Sequence, residues 1–210
     1  MSDPLTSAPG AGLPGPDLAA GGVPGLDGSS TETQPLEVVV VTGLSGAGKS
    51  TVGTAVAQEL RAQGRRVEIL DGDELRDALS PGLGFTREDR NTHVGRVGYL
   101  ARLLARNGVV AVVPVIAPYA DARRAVAEAH ANDGTPYVEV FVSTGSDECA
   151  RRDVKGLYAA QAQGRISHLT GVDDPYEAPT DPDLVLDTTG TPLDASRDAV
   201  LNLLTTKGLR

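Results

Sequence analysis

A single cysteine, Cys149, in 210 residues excludes an intramolecular disulfide and any cysteine-based zinc cluster. Its setting in SDECARR, a helix start, reads as a small packed residue rather than a reactive thiol. The chain also lacks an excess of positive charge. With 19 Lys and Arg against 28 Asp and Glu, the formal net charge is -9, which argues against non-specific binding to nucleic acid or to an anionic membrane. Any anionic ligand must therefore be met by local cations. No stretch approaches 18 consecutive apolar residues, and the N-terminal segment has neither a basic n-region nor an apolar h-region. A soluble cytoplasmic protein without a targeting peptide is expected. Tryptophan is absent and only two phenylalanines occur, so Phe85 in the Gly-rich stretch PGLGFT stands out as an aromatic available to stack on a flat ring.

Residues 1–36 are rich in Gly, Pro, Ala, Ser and Asp without sustained periodicity, and they are expected to be a disordered tail. From residue 37 apolar strands alternate with amphipathic segments, which predicts an α/β domain over 37–210. Strands are expected at 37–42, 66–70, 109–116, 137–142 and 183–187. Helices are expected at 49–63, 73–79, 87–107, 121–132, 146–151 and 192–206. Asn107-Gly108 and Gly134 read as helix ends. The stretch 153–180 breaks the alternation with Gly, Pro and charge, and a loop of that length reads as a lid or binding segment.

The most specific feature is EVVVVTGLSGAGKST, residues 37–51. A β-branched run of the kind a doubly buried parallel strand requires leads directly into G-x-x-x-x-G-K-S. The glycines let backbone N–H groups turn inward around phosphate oxygens, and a helix starting near Lys49 adds its positive dipole end. This predicts a nucleoside triphosphate bound along Gly43, Leu44, Ser45, Gly46, Ala47, Gly48, Lys49, Ser50 and Thr51. Lys49 would reach the β/γ-phosphates and Ser50 would hold Mg²⁺. Asp71 and Asp73 stand at the carboxyl end of the second expected strand, the edge at which open α/β sheets bind ligands. They are read as ordering Mg²⁺ water or accepting a hydroxyl proton, with Asp73 the alternative N-cap of the following helix. Arg76 and Arg90 are candidate anion clamps.

Together GLSGAGKST, LDGDELR, LGFTREDR, APYADAR, RDVKGLY, LTGVDDPYEAP and PDLVLDT, in that order, make the domain resemble the adenylyl-sulfate kinases. The resemblance spans nearly all of 37–207 and implies a P-loop nucleoside triphosphate hydrolase-like three-layer fold, mainly parallel, with a lid. It implies ATP-dependent phosphorylation of the ribose 3′-hydroxyl of adenosine 5′-phosphosulfate (APS), with Mg²⁺. By that resemblance Lys49, Asp71, Asp73 and Lys155 are catalytic, Asp73 being the base. Arg152 packs on the adenine of ATP. Asp73, Arg76, Phe85, Arg90, His93, Ile116, Lys155 and Leu169 hold APS, with Phe85 stacked on its adenine. A homodimer is implied as well, and the tail is either a recruiter of a sulfurylase partner or an inert extension. Several positions depart from the commonest family pattern. Ala117 stands where many members have serine, which argues for direct transfer; His93 replaces an asparagine, Leu169 an aromatic, and Gly95 an arginine, leaving Arg96. A P-loop kinase of another small hydroxylated acceptor, and a non-catalytic nucleotide-binding protein, are the alternatives.

Overall fold

A computed structural model describes residues 36–209, so the expected tail lies outside the described residues except for Leu36. Leu36 already belongs to the folded part. Its amide donates to the Ala105 carbonyl at 3.0 Å and its side chain packs on the core.

Five strands, β1 (Val38–Gly43), β2 (Val67–Ile69), β3 (Val110–Pro114), β4 (Tyr137–Val142) and β5 (Leu184–Leu186), form one sheet in the order β2-β3-β1-β4-β5. Every pairing is parallel, with Val38 of β1 opposite Ala111 of β3 and Tyr137 of β4. The connections are helical: α1 (Lys49–Ala62), α2 (Gly72–Leu79), α3 (Arg87–Arg106), α4 (Ala120–Ala131), α5 (Ser146–Arg152), α6 (Leu157–Ala162) and α7 (Leu193–Thr206). A side-chain period of two along β1 divides its valines between the two faces. Val39 and Val41 pack under α1 and α7 with Val56, Val140, Val200 and Leu204. Val38 and Val40 pack under α3 and α4 with Val97, Ala101, Val113 and Val126. Two cores on one sheet make the three-layer fold, and β1 is buried on both faces.

β4 spans the expected residues 137–142 and β1 is displaced by one residue, while β2, β3 and β5 are shorter than the apolar runs that encode them. Residues 115–116, expected to continue β3, lie beyond its end and line the cleft at the carboxyl edge, although the Val115 amide still donates to the Val41 carbonyl of β1 at 3.0 Å. The expected loop 153–180 is not structureless. Asp153 accepts from the Tyr158 and Ala159 amides and so starts α6, a six-residue helix that the Gly- and charge-rich composition conceals. A turn closed on Leu169 comes next, whose carbonyl accepts from the Val172, Asp173 and Asp174 amides. The second acidic motif is also shifted by one residue. α2 begins at Gly72, and its cap is Asp71, whose carboxylate accepts from the Asp73 amide at 3.0 Å; Asp73, expected as the alternative cap, is free of that task.

Candidate active site

All five strands run toward one edge, and the site is assembled from the segments into which they lead. After β1 the chain enters the phosphate loop with Gly43, Gly46 and Gly48 at φ 149°, 80° and 101°, the left-handed region that glycine tolerates. A Cβ on Gly43 would stand 2.5 Å from the Val142 carbonyl, so β4 requires glycine there on steric grounds as well. Gly48 precedes α1, whose first residues Lys49 and Ser50 therefore point their amides and side chains into the loop. The Lys49 ammonium donates to the Leu44 carbonyl at 2.8 Å, curling over the loop. Burial there pushes its pKa down to about 8, against the opposing pull of Asp73 and beyond a smaller depression from Lys155.

The loop is braced from behind. Thr188, just after β5, donates to the Ala47 carbonyl at 2.8 Å, and Thr144, just after β4, lies 2.8 Å from Thr188. Arg152 donates to the Thr188 hydroxyl and carbonyl at 2.8 and 3.0 Å and to the Glu148 carboxylate at 2.8 Å. Tyr158 of α6 donates to the Ser45 carbonyl. Neither Thr144 nor Thr188 is among the residues expected from the sequence, although polar residues immediately after parallel strands are the signal that would find them.

After β2, Asp71 accepts from the Ser50 hydroxyl at 2.7 Å. Gly72 packs so tightly on Val115 that a Cβ would lie 2.8 Å from its Cγ2. The carboxylate of Asp73 forms an ion pair with Lys155 from the α5–α6 connection, both groups being largely exposed. Lys49, Asp73 and Lys155 thus converge on one cleft of about 270 Å³, which Arg76, Phe85, Arg90, His93, Ile116 and Arg152 also line.

Phe85 is 51% exposed and has two cations beside its ring: the Arg76 and Arg90 guanidinium carbons lie 4.7 and 5.2 Å from the ring centroid. Burial, and then the like charge of Arg90, lowers the pKa of Arg76, so this corner of an acidic protein holds concentrated positive charge. The two arginines are not equivalent. Arg76 spends Nη1 on the Gly84 carbonyl. Arg90 is buried and spends Nε on the Phe85 carbonyl and Nη2 on the His168 carbonyl and Asp174, which ties α3 to the lid segment.

His93, expected to hold the acceptor, lines the cleft with both nitrogens committed to protein. Nε2 lies 2.9 Å from the Gly72 carbonyl, which can only accept, so Nε2 donates and Nδ1 accepts from the Ser80 hydroxyl at 2.9 Å. Burial, reinforced by Arg76, lowers its pKa and favours that neutral form. The residue therefore fixes the turn that carries Asp71 and Asp73. Leu169, expected among the residues holding APS, is buried in its own turn and does not reach the cleft lining. Ile116 does line the cleft, and its carbonyl accepts from Thr42 at 2.6 Å. Cys149 is fully buried, and burial raises its pKa, as a packing role requires.

The oxygens of Ser50 and Asp71 suit a hard cation. Among the described residues no cluster of three or more His, Cys, Asp or Glu could hold a metal ion, so a cation here would draw its remaining ligands from phosphate and water, as Mg²⁺ prefers.

The comparisons with known proteins agree with this geometry. The family model described as adenylylsulphate kinase matches residues 36–187. An adenylyl-sulfate kinase of Deinococcus deserti is 54% identical over 151 residues, 72% of this chain and 81% of that protein. One from a Picosynechococcus species is 46% identical over 167 residues, 80% and 92% of the two chains. The solved structure of the Mycobacterium tuberculosis APS kinase CysC in complex with AMPPNP and APS superposes with a TM-score of 0.79 at 41% identity, covering 81% of this chain and 98% of that one. A phosphate loop, paired acids after the second strand and a lid lysine facing them are set in a chain that these enzymes match in sequence and in fold, and the chain belongs to the adenylylsulphate kinase family.

Proposed function

We propose that this protein transfers the γ-phosphoryl group of ATP to the 3′-hydroxyl of APS, giving 3′-phosphoadenosine 5′-phosphosulfate and ADP. The observation that carries the reading is the convergence of Lys49, Asp73 and Lys155 on a cleft that Phe85 also lines with Arg76 and Arg90 beside its ring. One wall handles a transferring phosphoryl group. The other suits a flat base joined to an anion.

The triphosphate lies along Gly43–Thr51, its negative charge met by loop amides, the α1 terminus and Lys49. The Arg152 side chain, held by Glu148 and Thr188, presents its guanidinium beside the loop for the ATP adenine. Ser50 and Asp71 would hold Mg²⁺, which would supply charge neutralisation for the transferring phosphoryl group. The APS adenine stacks on Phe85, and its phosphosulfate meets Arg76 and the Nη1 of Arg90.

The Asp73 carboxylate accepts the 3′-hydroxyl proton as the new O–P bond forms and the bond from the γ-phosphorus to the β,γ-bridging oxygen breaks, so that ADP leaves. In the free protein Asp73 is paired with Lys155. Exposed pairs of this kind contribute only ~0–1 kcal/mol, so an arriving hydroxyl displaces the ammonium at little cost and leaves it for the transferring phosphoryl group. Ala117 offers no nucleophile, and transfer is direct. Closure of 153–180 keeps water from the bound triphosphate.

A homodimer, a cytoplasmic location and a sulfurylase as the macromolecular partner complete the proposal. A buried lone thiol suits a reducing compartment, and no helix among the described residues is long and apolar enough to cross a membrane. Steady-state turnover with APS compared against unsulfated AMP tests the reading. Turnover selective for APS is expected, and absence of APS turnover by the wild-type protein sinks it.

A further inference from the structure

Ala117 sits in the cleft wall at φ 42°, one of three non-glycine residues with positive φ among those described; the others are Asp153 and His168. Those two have polar side chains that hold them in place. Asp153 accepts from the Tyr158 and Ala159 amides, and His168 pairs with Asp174. Alanine has no such means, and Pro118 after it narrows its freedom further. A strained residue persists only where its surroundings impose the conformation.

The Ala117 carbonyl is held by Arg123, 5% exposed on α4. Its Nη1 donates to the Ala117 carbonyl at 2.7 Å, its Nη2 to the Glu177 carbonyl at 2.7 Å, and its Nε faces the Glu139 carboxylate at 2.9 Å. Glu177, near the end of the lid segment, grips the same loop from its other side. Its amide donates to the Pro118 carbonyl at 2.8 Å, and its carboxylate accepts from the Ala120 amide at 2.8 Å and from Arg87 at 2.9 Å. Thr42 extends the connection to the strand that enters the phosphate loop. Its hydroxyl proton goes to the Ile116 carbonyl, so the Tyr176 hydroxyl, 3.0 Å away, must be the donor in that second bond.

We infer that Arg123 is a positioning residue for phosphoryl transfer: it holds Ala117 in the left-handed conformation that sets the Ile116–Pro118 wall against the acceptor, and it joins that wall to the end of the lid at Glu177. The wall lines the same cleft as Asp73 and Lys155, so its placement fixes where the acceptor hydroxyl can stand. The kinetic part of this inference rests on the APS reading.

Arg123→Lys keeps a cation beside Glu139, but an ammonium cannot reproduce the fork that spans two carbonyls. Its kcat with APS should fall by roughly 10- to 100-fold, while KM for ATP stays within about twofold, since a displacement near 1 Å costs on that order. Ala117→Gly placed in the Arg123→Lys background should raise kcat about tenfold over Arg123→Lys alone, because glycine takes positive φ without the clamp. Hydrogen exchange over 165–178 supplies a readout independent of turnover: faster in Arg123→Lys and still fast in the double variant, where the glycine restores the wall but not the link to the lid. Arg123→Gln with Glu139→Gln, which leaves no uncompensated charge, is a second probe with the same expectations. Wild-type kcat in both Arg123 variants, no recovery by glycine, or unchanged exchange overturns the inference. Wild-type protein that fails to use APS refutes the proposed substrate instead, and the exchange experiment still decides this one.

Discussion

Gly72→Ala tests whether the acids after β2 are held where the chemistry needs them. Gly72 is buried at the first turn of α2, and a Cβ there would stand 2.8, 3.2 and 3.3 Å from the Cγ2, Cβ and Cα of Val115. Ordinary carbon contacts need about 3.5–4.0 Å, so α2 or the end of β3 must yield by roughly 0.7–1.2 Å. Val115 is buried in the α3/α4 core next to a fully buried β3, whereas Gly72 is the only buried residue of α2, so α2 moves and carries Asp71 and Asp73 with it. Two opposing effects set the stability. Replacing helical glycine by alanine gains about 0.5–1 kcal/mol, whereas overpacking costs about 1–3 kcal/mol, so a small net loss is expected. In a domain of this size that corresponds to a melting temperature lower by about 2–6 °C. The effect on rate is larger, because misplacing reacting groups by about 1 Å costs on the order of 100-fold. Steady-state kcat with APS at saturating ATP should therefore fall about 100-fold, with nucleotide affinity changed little. Val115→Ala in the same chain removes the contact with Cγ2 and should restore much of the rate. Turnover by Gly72→Ala within about threefold of wild type, or no recovery in the double variant, would refute the reasoning.

Asp73→Asn should keep its melting temperature, since Asp71 is the cap of α2, and lose at least about 100-fold in kcat as the proton acceptor disappears; a normal rate would remove Asp73 from the chemistry. Lys49, at about 8 in the free protein, must be charged to meet a triphosphate, so affinity for a non-hydrolysable ATP analogue should fall about tenfold per pH unit above pH 8, with proton uptake visible by calorimetry in buffers of different ionisation enthalpy. Lys49→Arg should abolish that slope, and a flat profile in the wild type would show that Lys49 does not titrate there. Phe85→Ala should raise KM for APS several-fold, on the order of 1 kcal/mol of lost stacking, and leave KM for ATP alone; equal changes in both would assign Phe85 to the fold.

The parts legible in the sequence are those whose causes are local. Val38–Val41 must be a doubly buried strand whatever surrounds it, and the glycines of the phosphate loop encode their own positive φ. The register of the second acidic motif is harder to read. Glycine is a poor helix residue, so the sequence pattern starts the helix at Asp73, but the approach of Val115 requires glycine at position 72, and the cap passes to Asp71. α6 has no clear sequence signal, because its six residues carry too little periodicity to register. The committed donors of Arg90 and His93, and the roles of Thr144 and Thr188, depend on carbonyls and hydroxyls contributed by distant segments. Nothing in the residues themselves announces those partners.

Placing the phosphate loop at the end of β1 has a consequence for how the molecule opens. Val38–Val41 are 0–6% exposed and lie between paired strands on both sides, so their amides can exchange with solvent only when the sheet itself comes apart. A nucleotide on the loop binds only the folded sheet, and its binding energy is therefore shared by every strand as slower exchange. The 153–180 segment contributes no strand and exposes Val154 and Val172 at 80% and 48%, so its amides are not held by the sheet and can exchange through local openings that leave the sheet intact. Acceptors and products can thus come and go on the clock of the segment, while the charge-bearing loop holds its shape on the much slower clock of the core.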